Sequence, residues 1–349
     1  MLNFCTSLDA GYLPRGLAIH RSLERHADRF HLYVLCIDDA AHSYIESLGL
    51  PSATAIPLAE LEAIDPELAA VRHTRSTGEY CWTAKPSLCR HLLDRVPSGE
   101  PLTYIDADMM FFADPQVLLD ELGDASIMLV PHRFSPRRAH WSETDGIYNG
   151  GWITFRNDAR AREALVWWRE RCLEWCYDRR EDGKFADQKY LDDWPERFEG
   201  VHALENPGAG VAPWNADRYE LAERGGVPLA DGRPIVFYHY SSLGLLRPSP
   251  ASLLLAGVSR HFHTARRPVQ LVWRRDPDYR AMSRRERTIL WLPHLGQLGE
   301  AIVAIRGRRP ELSAYWSSVS LATEARRFAA GMARGLLPQR VRSWVRRSA

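Results

Sequence analysis

Short apolar runs of strand character alternate with helical segments through the first two hundred residues, and this alternation restricts the fold more than any other feature. "LNFCTSL" at residues 2–8 precedes "YLPRGLAIHRSLER", whose apolar positions 13, 17, 19 and 23 suit one helix face. "FHLYVLCIDD" repeats the device and leads into "AAHSYIESLGL", which closes on a glycine as helices often do. "TAIPL" predicts a third strand with "LAELEAIDPELAAV" helical after it, and "WTAKPSLCRHLLDRV" predicts a helix leading to the strand "LTYI". Alternating strands and helices imply βαβ units and a mixed, mostly parallel α/β sheet flanked by helices. In such sheets ligands sit outside the carboxyl ends of the strands, so residues just past each strand carry most of the chemistry.

"ASIMLVPHRF", "YNGGWITFRND" and "RPIVFYHYSS" supply further strands, and "DARAREALVWWRERCLEWCYD" is the longest helix candidate. Beyond residue 245 strand alternation is lost. The expected division is a sheet domain over 1–248 and a mainly helical extension over 249–349. At 349 residues and 45% hydrophobic composition the chain can bury a sizeable core. The six cysteines form no CxxC pair, so no disulfide framework is expected. Cys172 and Cys176, at helical spacing beside three tryptophans, read as core packing, because two thiols alone make a poor metal site. The first residues lack a cationic leader, and no run approaches the roughly 18 apolar residues of a membrane span. A cytoplasmic chain is expected.

"YIDADMMFF" sets Asp106 and Asp108 at the end of an apolar strand. At i, i+2 in extended chain both carboxylates point the same way, and against a hydrophobic wall they need a positive partner. Mg²⁺ or Mn²⁺ is one such partner, able to keep sites for diphosphate oxygens; an ordinary acidic loop is the other reading. His239, in "IVFYHYSS", ends a second strand with the same apolar lead. A lone histidine is usually structural, yet here it completes a half-shell of two Asp and one His, favouring Mn²⁺ somewhat over Mg²⁺. Arg247, in "LLRP", reads either as a phosphate-binding fork or as a solvated loop residue. Asn149 and its two glycines, in "YNGGWITF", either bring backbone close to a ligand or make a simple turn. Asp187 and Gln188, in "FADQKYLDDW", open a short helix, where spacing alone makes Asp187 a cap.

Taken in order, an N-terminal strand with "TSLDAGYLPRGLAIHRSL", then "YIDAD", "YNGG", "DQKYLD" and "HYSSLGLLRP" span residues 2–248. Together they resemble a GT-A nucleotide-sugar glycosyltransferase, most similar to glycosyltransferase family 8 and its relatives in bacterial polysaccharide loci. The resemblance implies a GT-A sheet and transfer of a sugar from a nucleotide diphosphate sugar, with a bias to UDP, to a saccharide or lipid-linked acceptor. It implies that Asp106, Asp108 and His239 hold Mn²⁺ or Mg²⁺, and that Asp106 also touches the ribose. Thr6, Asp9 and Tyr12 match residues around the base and ribose, and Lys85 matches a basic residue at the donor sugar or phosphates. Asn149 would contact donor or acceptor; Asp187 and Gln188 would lie beside the anomeric carbon; Arg247 would hold the leaving diphosphate. The last motif departs from the family: it reads Arg-Pro-Ser for Lys-Pro-Trp, with Ser242 where a glycine would stand. Family 8 relatives retain anomeric configuration, and the same is expected here.

The formal charge of +1 hides a basic tail: seven arginines against one glutamate over 323–349 make a local +6, leaving −5 on the remainder. Phe328, Met332 and Leu336 recur at steps of four among those arginines. That pattern suits either a basic amphipathic helix on anionic lipid at the inner face of the cytoplasmic membrane, or a packed helix with a solvated end. Nucleic acid is not expected, since no recognisable module accompanies the basic residues. Two other readings compete with transfer: a Mg²⁺-dependent phosphohydrolase, whose DxD would belong nearer the start of its domain, and a non-catalytic sugar-binding protein on the same fold.

Overall fold

The computed structural model describes residues 1–241, 243–247, 270–273, 283–315 and 317–318. The basic tail, Ser242 and the side chain of Arg247 lie outside the described residues. In chain order the elements begin with β1 (Leu2–Leu8), α1 (Leu13–His26), β2 (Phe30–Cys36), α2 (Asp39–Leu48), β3 (Ala53–Pro57), α3 (Leu58–Ile64), α4 (Pro66–Val71) and α5 (Thr77–Leu93). They continue with β4 (Pro101–Ile105), β5 (Met109–Phe111), α6 (Gln116–Leu119), β6 (Ile127–Pro131), α7 (Trp141–Asp145), β7 (Tyr148–Arg156), α8 (Ala159–Glu174), α9 (Trp194–Arg197) and β8 (Val201–Ala203). Then follow β9 (Leu221–Arg224), β10 (Val227–Ala230), β11 (Arg233–Pro234), β12 (Phe237–His239), β13 (Leu243–Arg247) and β14 (Gln270–Trp273). The last are α10 (Arg284–Glu286), α11 (Leu292–Arg308) and β15 (Ser317–Ser318).

Seven strands form the main sheet in the order β3-β2-β1-β4-β7-β6-β8. Only β7 runs against the others, so the expected mixed, mostly parallel sheet is what the chain forms. Local sequence explains the helix ends. Asp38 accepts from the Ala41 amide to cap α2, which stops at Gly49 with φ 59°, and Ser76 with Glu79 closes a capping box on α5. Strand alternation then builds two cores, one on each face. Leu2, Phe4 and Leu8 of β1 face α1 and α2, whereas Cys5 faces α5 and α8 with Tyr104, Ile153 and Phe155. Cys172 and Cys176 are free thiols in that second core, as expected.

The region after residue 245 is less purely helical than expected, because β14 pairs antiparallel with β13 and β15 pairs parallel with it. Its main helix belongs to the same core as the sheet: Ala301, Ile302 and Ile305 of α11 pack with β1 and α1. The continuous helical stretch Arg284–Arg308 is long and apolar enough to pass as a membrane span, which was not expected. Burial of Leu290, Trp291, Leu295 and Leu298 under β12 and the 211–235 segment accounts for that hydropathy within the fold.

A small antiparallel pair, β5 with β12, lies off the main sheet. Trp152 of β7 stacks on Phe237 of β12 with centroids 4.9 Å apart and planes 2° apart, while Phe4 and Phe111 meet Trp152 obliquely at about 6 Å. Such pairs add about 0.5–1.5 kcal/mol each beyond simple burial, which rivets β12 against the sheet.

Candidate active site

Backbone hydrogen bonds bring three distant side chains together past the ends of β4 and β12. The Asp106 amide donates to the Gly151 carbonyl of β7 at 2.8 Å, and the chain turns through Ala107 and Asp108 into β5. Pairing of β5 with β12 sets His239 opposite Met109. The Tyr240 amide donates to the Asp108 carbonyl at 2.8 Å, and the His239 amide to Val211 at 3.0 Å.

In that frame one ligand atom from each of Asp106, Asp108 and His239 lies within 4.8 Å of the others. His239 Nε2 is 3.0 Å from Asp108 Oδ1 and 3.7 Å from Asp106 Oδ2, and its Nδ1 is buried without a hydrogen-bond partner. Two carboxylates and an imidazole converging at this spacing fit Mn²⁺ or Mg²⁺, with positions left for other oxygens. Gly151 makes the space: a Cβ there would stand 2.7 Å from Asn149 Oδ1, Asp106 Oδ2 and His239 Cε1 alike. Burial pushes the Asp108 carboxyl up, but His239 and then Arg15 outweigh it and hold it below the usual carboxylate range. Burial likewise pulls His239 down, and Asp108 followed by Asp106 overcomes this and raises it.

Lys85 of α5, only 2% exposed, joins this trio to the next strand end. Its Nζ lies 3.3 Å from Asp106 Oδ1 and 3.0 Å from Asp187 Oδ2, and donates to the Gly150 carbonyl at 3.0 Å. Burial would lower its pKa, yet Asp106 and Asp187 raise it, so it stays charged. Asp187 is therefore not the helix cap that spacing suggests. The single turn Lys189–Leu191 starts from Gln188 without a side-chain cap, and the Asp187 carboxylate turns inward to Lys85. Burial raises Asp187, with Lys85 opposing. Gln188 donates to the Asp145 carbonyl at 2.7 Å and accepts from the Gly150 amide at 3.4 Å.

Asn149 accepts from the Gly151 amide at 2.9 Å, which fixes its amide rather than making a plain turn, and donates from Nδ2 to His132 Nε2 at 3.0 Å. His132 is consistent with that role, since its Nδ1 donates to the Gly146 carbonyl at 2.9 Å and burial lowers its pKa to about 4. Trp214 donates to the His132 carbonyl and meets the His239 ring edge-on at 5.2 Å. Neither His132 nor Trp214 was singled out in the sequence; only the position of His132, directly after β6, carries a clue.

Asp9 and Tyr12 stand past the end of β1, with Asp9 Oδ1 accepting from the Tyr12 amide at 3.0 Å and the Tyr12 ring 41% exposed. Burial, then Asp38, raise Asp9 against the pull of its own backbone contacts. Thr6 does not reach the site. It shares the face of Leu8 and lines a small cavity with Leu13, Leu17 and Val34, its Oγ1 buried without a partner. Its neighbour Ser7, on the opposite face, pairs with Tyr104 Oη at 3.1 Å.

Residues 29–193 match the family model described as nucleotide-diphospho-sugar transferase. The chain is 34% identical over 246 residues to YfnD of Bacillus subtilis (strain 168), covering 70% of this chain and 78% of that one. It is also 34% identical over 245 residues to YfnF of the same organism, covering 68% and 80%. Among solved structures it is similar to the galactosyltransferase LgtC in complex with donor and acceptor sugar analogues, with TM-score 0.47 and 18% identity over 72% of this chain and 88% of that one. It is similar too to mouse xyloside xylosyltransferase 1, with TM-score 0.43 and 14% identity over 69% and 97%. The chain belongs to the nucleotide-diphospho-sugar transferase family and is a glycosyltransferase.

Proposed function

We infer that this glycosyltransferase takes its sugar from a UDP-linked donor, depends on Mn²⁺ or Mg²⁺, retains anomeric configuration and serves a saccharide or lipid-linked acceptor in surface polysaccharide synthesis. The observation that carries the reading is the convergence of Asp106, Asp108 and His239 within 4.8 Å. A divalent ion held there supplies charge neutralisation to the departing diphosphate, the main electrostatic demand of the reaction. In the transfer, the bond from the anomeric carbon to the diphosphate oxygen breaks with its electron pair leaving on the diphosphate. The acceptor hydroxyl oxygen forms the new bond to that carbon, and its proton passes to the departing diphosphate oxygen.

The chain's own residues prepare that event. Lys85 locks Asp106 and Asp187 in one orientation, so the metal-binding and sugar-binding ends of the site move as a unit. His132 fixes the amide of Asn149, and Gly150 and Gly151 let the backbone lie close to the donor sugar. Asp187 and Gln188 line the approach to the anomeric carbon in this reading, and Arg247 at the end of β13 serves the leaving group. Retention, UDP and the pathway rest on the resemblance to family 8; the basic tail supports a lipid-linked acceptor at the inner face of the membrane.

A thermal-shift panel of UDP, GDP and CDP, each with Mn²⁺ or EDTA, tests the reading. UDP stabilises the protein with Mn²⁺ and not with EDTA, and Asp108→Ala removes the shift. Equal stabilisation in EDTA contradicts metal dependence, and a shift from GDP or CDP but not UDP contradicts the choice of donor.

A further inference from the structure

We propose, resting on the metal reading above, that Tyr238 and Tyr240 are positioning residues for the ion: they hold the ligand His239 in place by anchoring its strand to the C-terminal helical stretch.

His239 sits on a short support. β12 is three residues long, its ladder partner β5 is no longer, and a two-stranded ribbon of that size is marginal by itself. A metal-binding imidazole is ordinarily aimed by a hydrogen bond from its second ring nitrogen. Here Nδ1 of His239 is buried and has no hydrogen-bond partner among the described residues. Trp214 meets the ring edge-on, and otherwise its aim depends on where the backbone of β12 is held.

Strand alternation divides that work between two faces. Phe237 stacks on Trp152, and His239 points to Gly151 and the two aspartates, all on the side of the main sheet. Tyr238 and Tyr240 face the other way, into the core shared with Leu290, Trp291, Leu295 and Leu298. Both tyrosines are fully buried, and both hydroxyls are committed to the helical stretch. Tyr238 Oη donates to Glu286 Oε1 at 2.9 Å, and Tyr240 Oη donates to the Leu290 carbonyl at 2.6 Å. The spacings match, since two residues along a strand cover about 6.7 Å and four along a helix about 6 Å. Apolar packing alone would let the strand slide, whereas two directional bonds at matched spacing fix its height and tilt.

Tyr240 carries the larger share. Its ring stacks on His294 with centroids 3.8 Å apart and meets Trp291 edge-on at 5.1 Å. Its amide donates to the Asp108 carbonyl at 2.8 Å. One side chain thus ties the helix to two of the three ligands, to His239 through the chain and to Asp108 through that bond.

Titrating the full chain with Mn²⁺ alone, and counting free ion by electron paramagnetic resonance, gives the affinity directly. Tyr240→Phe keeps the ring and weakens Mn²⁺ by about tenfold, the low end for losing a partner behind a metal ligand. Tyr238→Phe weakens it by about threefold, and carries the test if Tyr240→Phe melts below assay temperature. Ile305→Val, on the same helix but packed against β1 and α1, lowers the urea midpoint and leaves Mn²⁺ affinity unchanged. Unchanged Mn²⁺ affinity in both tyrosine variants overturns the proposal. An equal loss in Ile305→Val also overturns it, by showing that the helix acts through stability alone. A wild type that binds no Mn²⁺ refutes the metal reading itself.

Discussion

Two buried carboxylate clusters sit on opposite flanks of α5, and they are built to different ends. At Asp65 every demand is met: Arg169 grips both oxygens from Nε and Nη2, the Ser87 hydroxyl donates at 2.7 Å, and the Leu68 amide donates at 3.1 Å. Burial raises that carboxyl, and Arg169 with Ser87 more than reverses it. The cluster is closed, and it ties α4 and α5 to α8. Around Lys85 the shell is not closed in this way: Asp106 and Asp187 share Lys85, Asp108 lies against His239, and His239 Nδ1 is buried without a hydrogen-bond partner. The side chains of Asp106 and Asp108 keep 24% and 14% of their surface open, against 7% for Asp65. Those open faces leave room for a cation from outside, and the contrast shows that a carboxylate whose oxygens are all taken up by protein donors is structural, while one that keeps an open face can serve function.

Substituting the two clusters in parallel gives the largest effect. Asp108→Ala lowers transferase activity by about a thousandfold or more, while in EDTA its stability falls less than that of Asp65→Ala. Asp65→Ala leaves Arg169 with Glu67 alone, removes the cap of α4 and costs about 2 kcal/mol in urea unfolding, with UDP affinity of the folded protein unchanged. Comparable activity losses from both would erase the distinction.

A smaller effect comes from His294, stacked on Tyr240 with centroids 3.8 Å apart and with neither ring nitrogen partnered. Its folded pKa of about 3 lies below the unfolded value near 6.5, so the unfolded chain binds the extra proton. Stability is whole above about pH 6.5 and falls as the pH drops from there towards 3, by about 2 kcal/mol at pH 5. His294→Phe keeps the stack and removes the proton site. Its gain in urea unfolding at pH 5 therefore exceeds its gain at pH 7.5 by that amount, and equal gains at both pH values would show that His294 does not titrate this way.

The smallest effect concerns Thr6. Thr6→Val replaces a buried hydroxyl lacking a partner by a methyl group of like shape, and raises stability by about 1 kcal/mol without changing UDP affinity. A drop in UDP affinity would return Thr6 to the donor site.

The alternation of apolar runs with helical segments made β1 to β4 and their helices legible in advance, because both signals are local. What positions the site is not local. "MMFF" and "FYH" read as ordinary core, and nothing nearby in the chain says that Met109 pairs with His239 across 129 intervening residues. Asp187 misled for the same reason: its neighbours suit a cap, while its partner Lys85 is a hundred residues away on α5. Thr6 and Ser7 differ only in the parity of a buried strand, and every residue of β1 is buried, so no polar alternation told the two faces apart. The helical nature of residues 292–308 was readable, whereas their membership of the sheet's own core depended on packing against α1.

The account turns on an ion shared by residues from two separate strand ends. Pulsed electron paramagnetic resonance of the Mn²⁺ and UDP complex measures this directly, since a coordinating imidazole imprints nitrogen modulation on the metal signal. Wild type shows that modulation, and His239→Ala loses it while Asp65→Ala keeps it. A wild-type complex without histidine nitrogen coupling, or one whose coupling survives His239→Ala, would contradict the account.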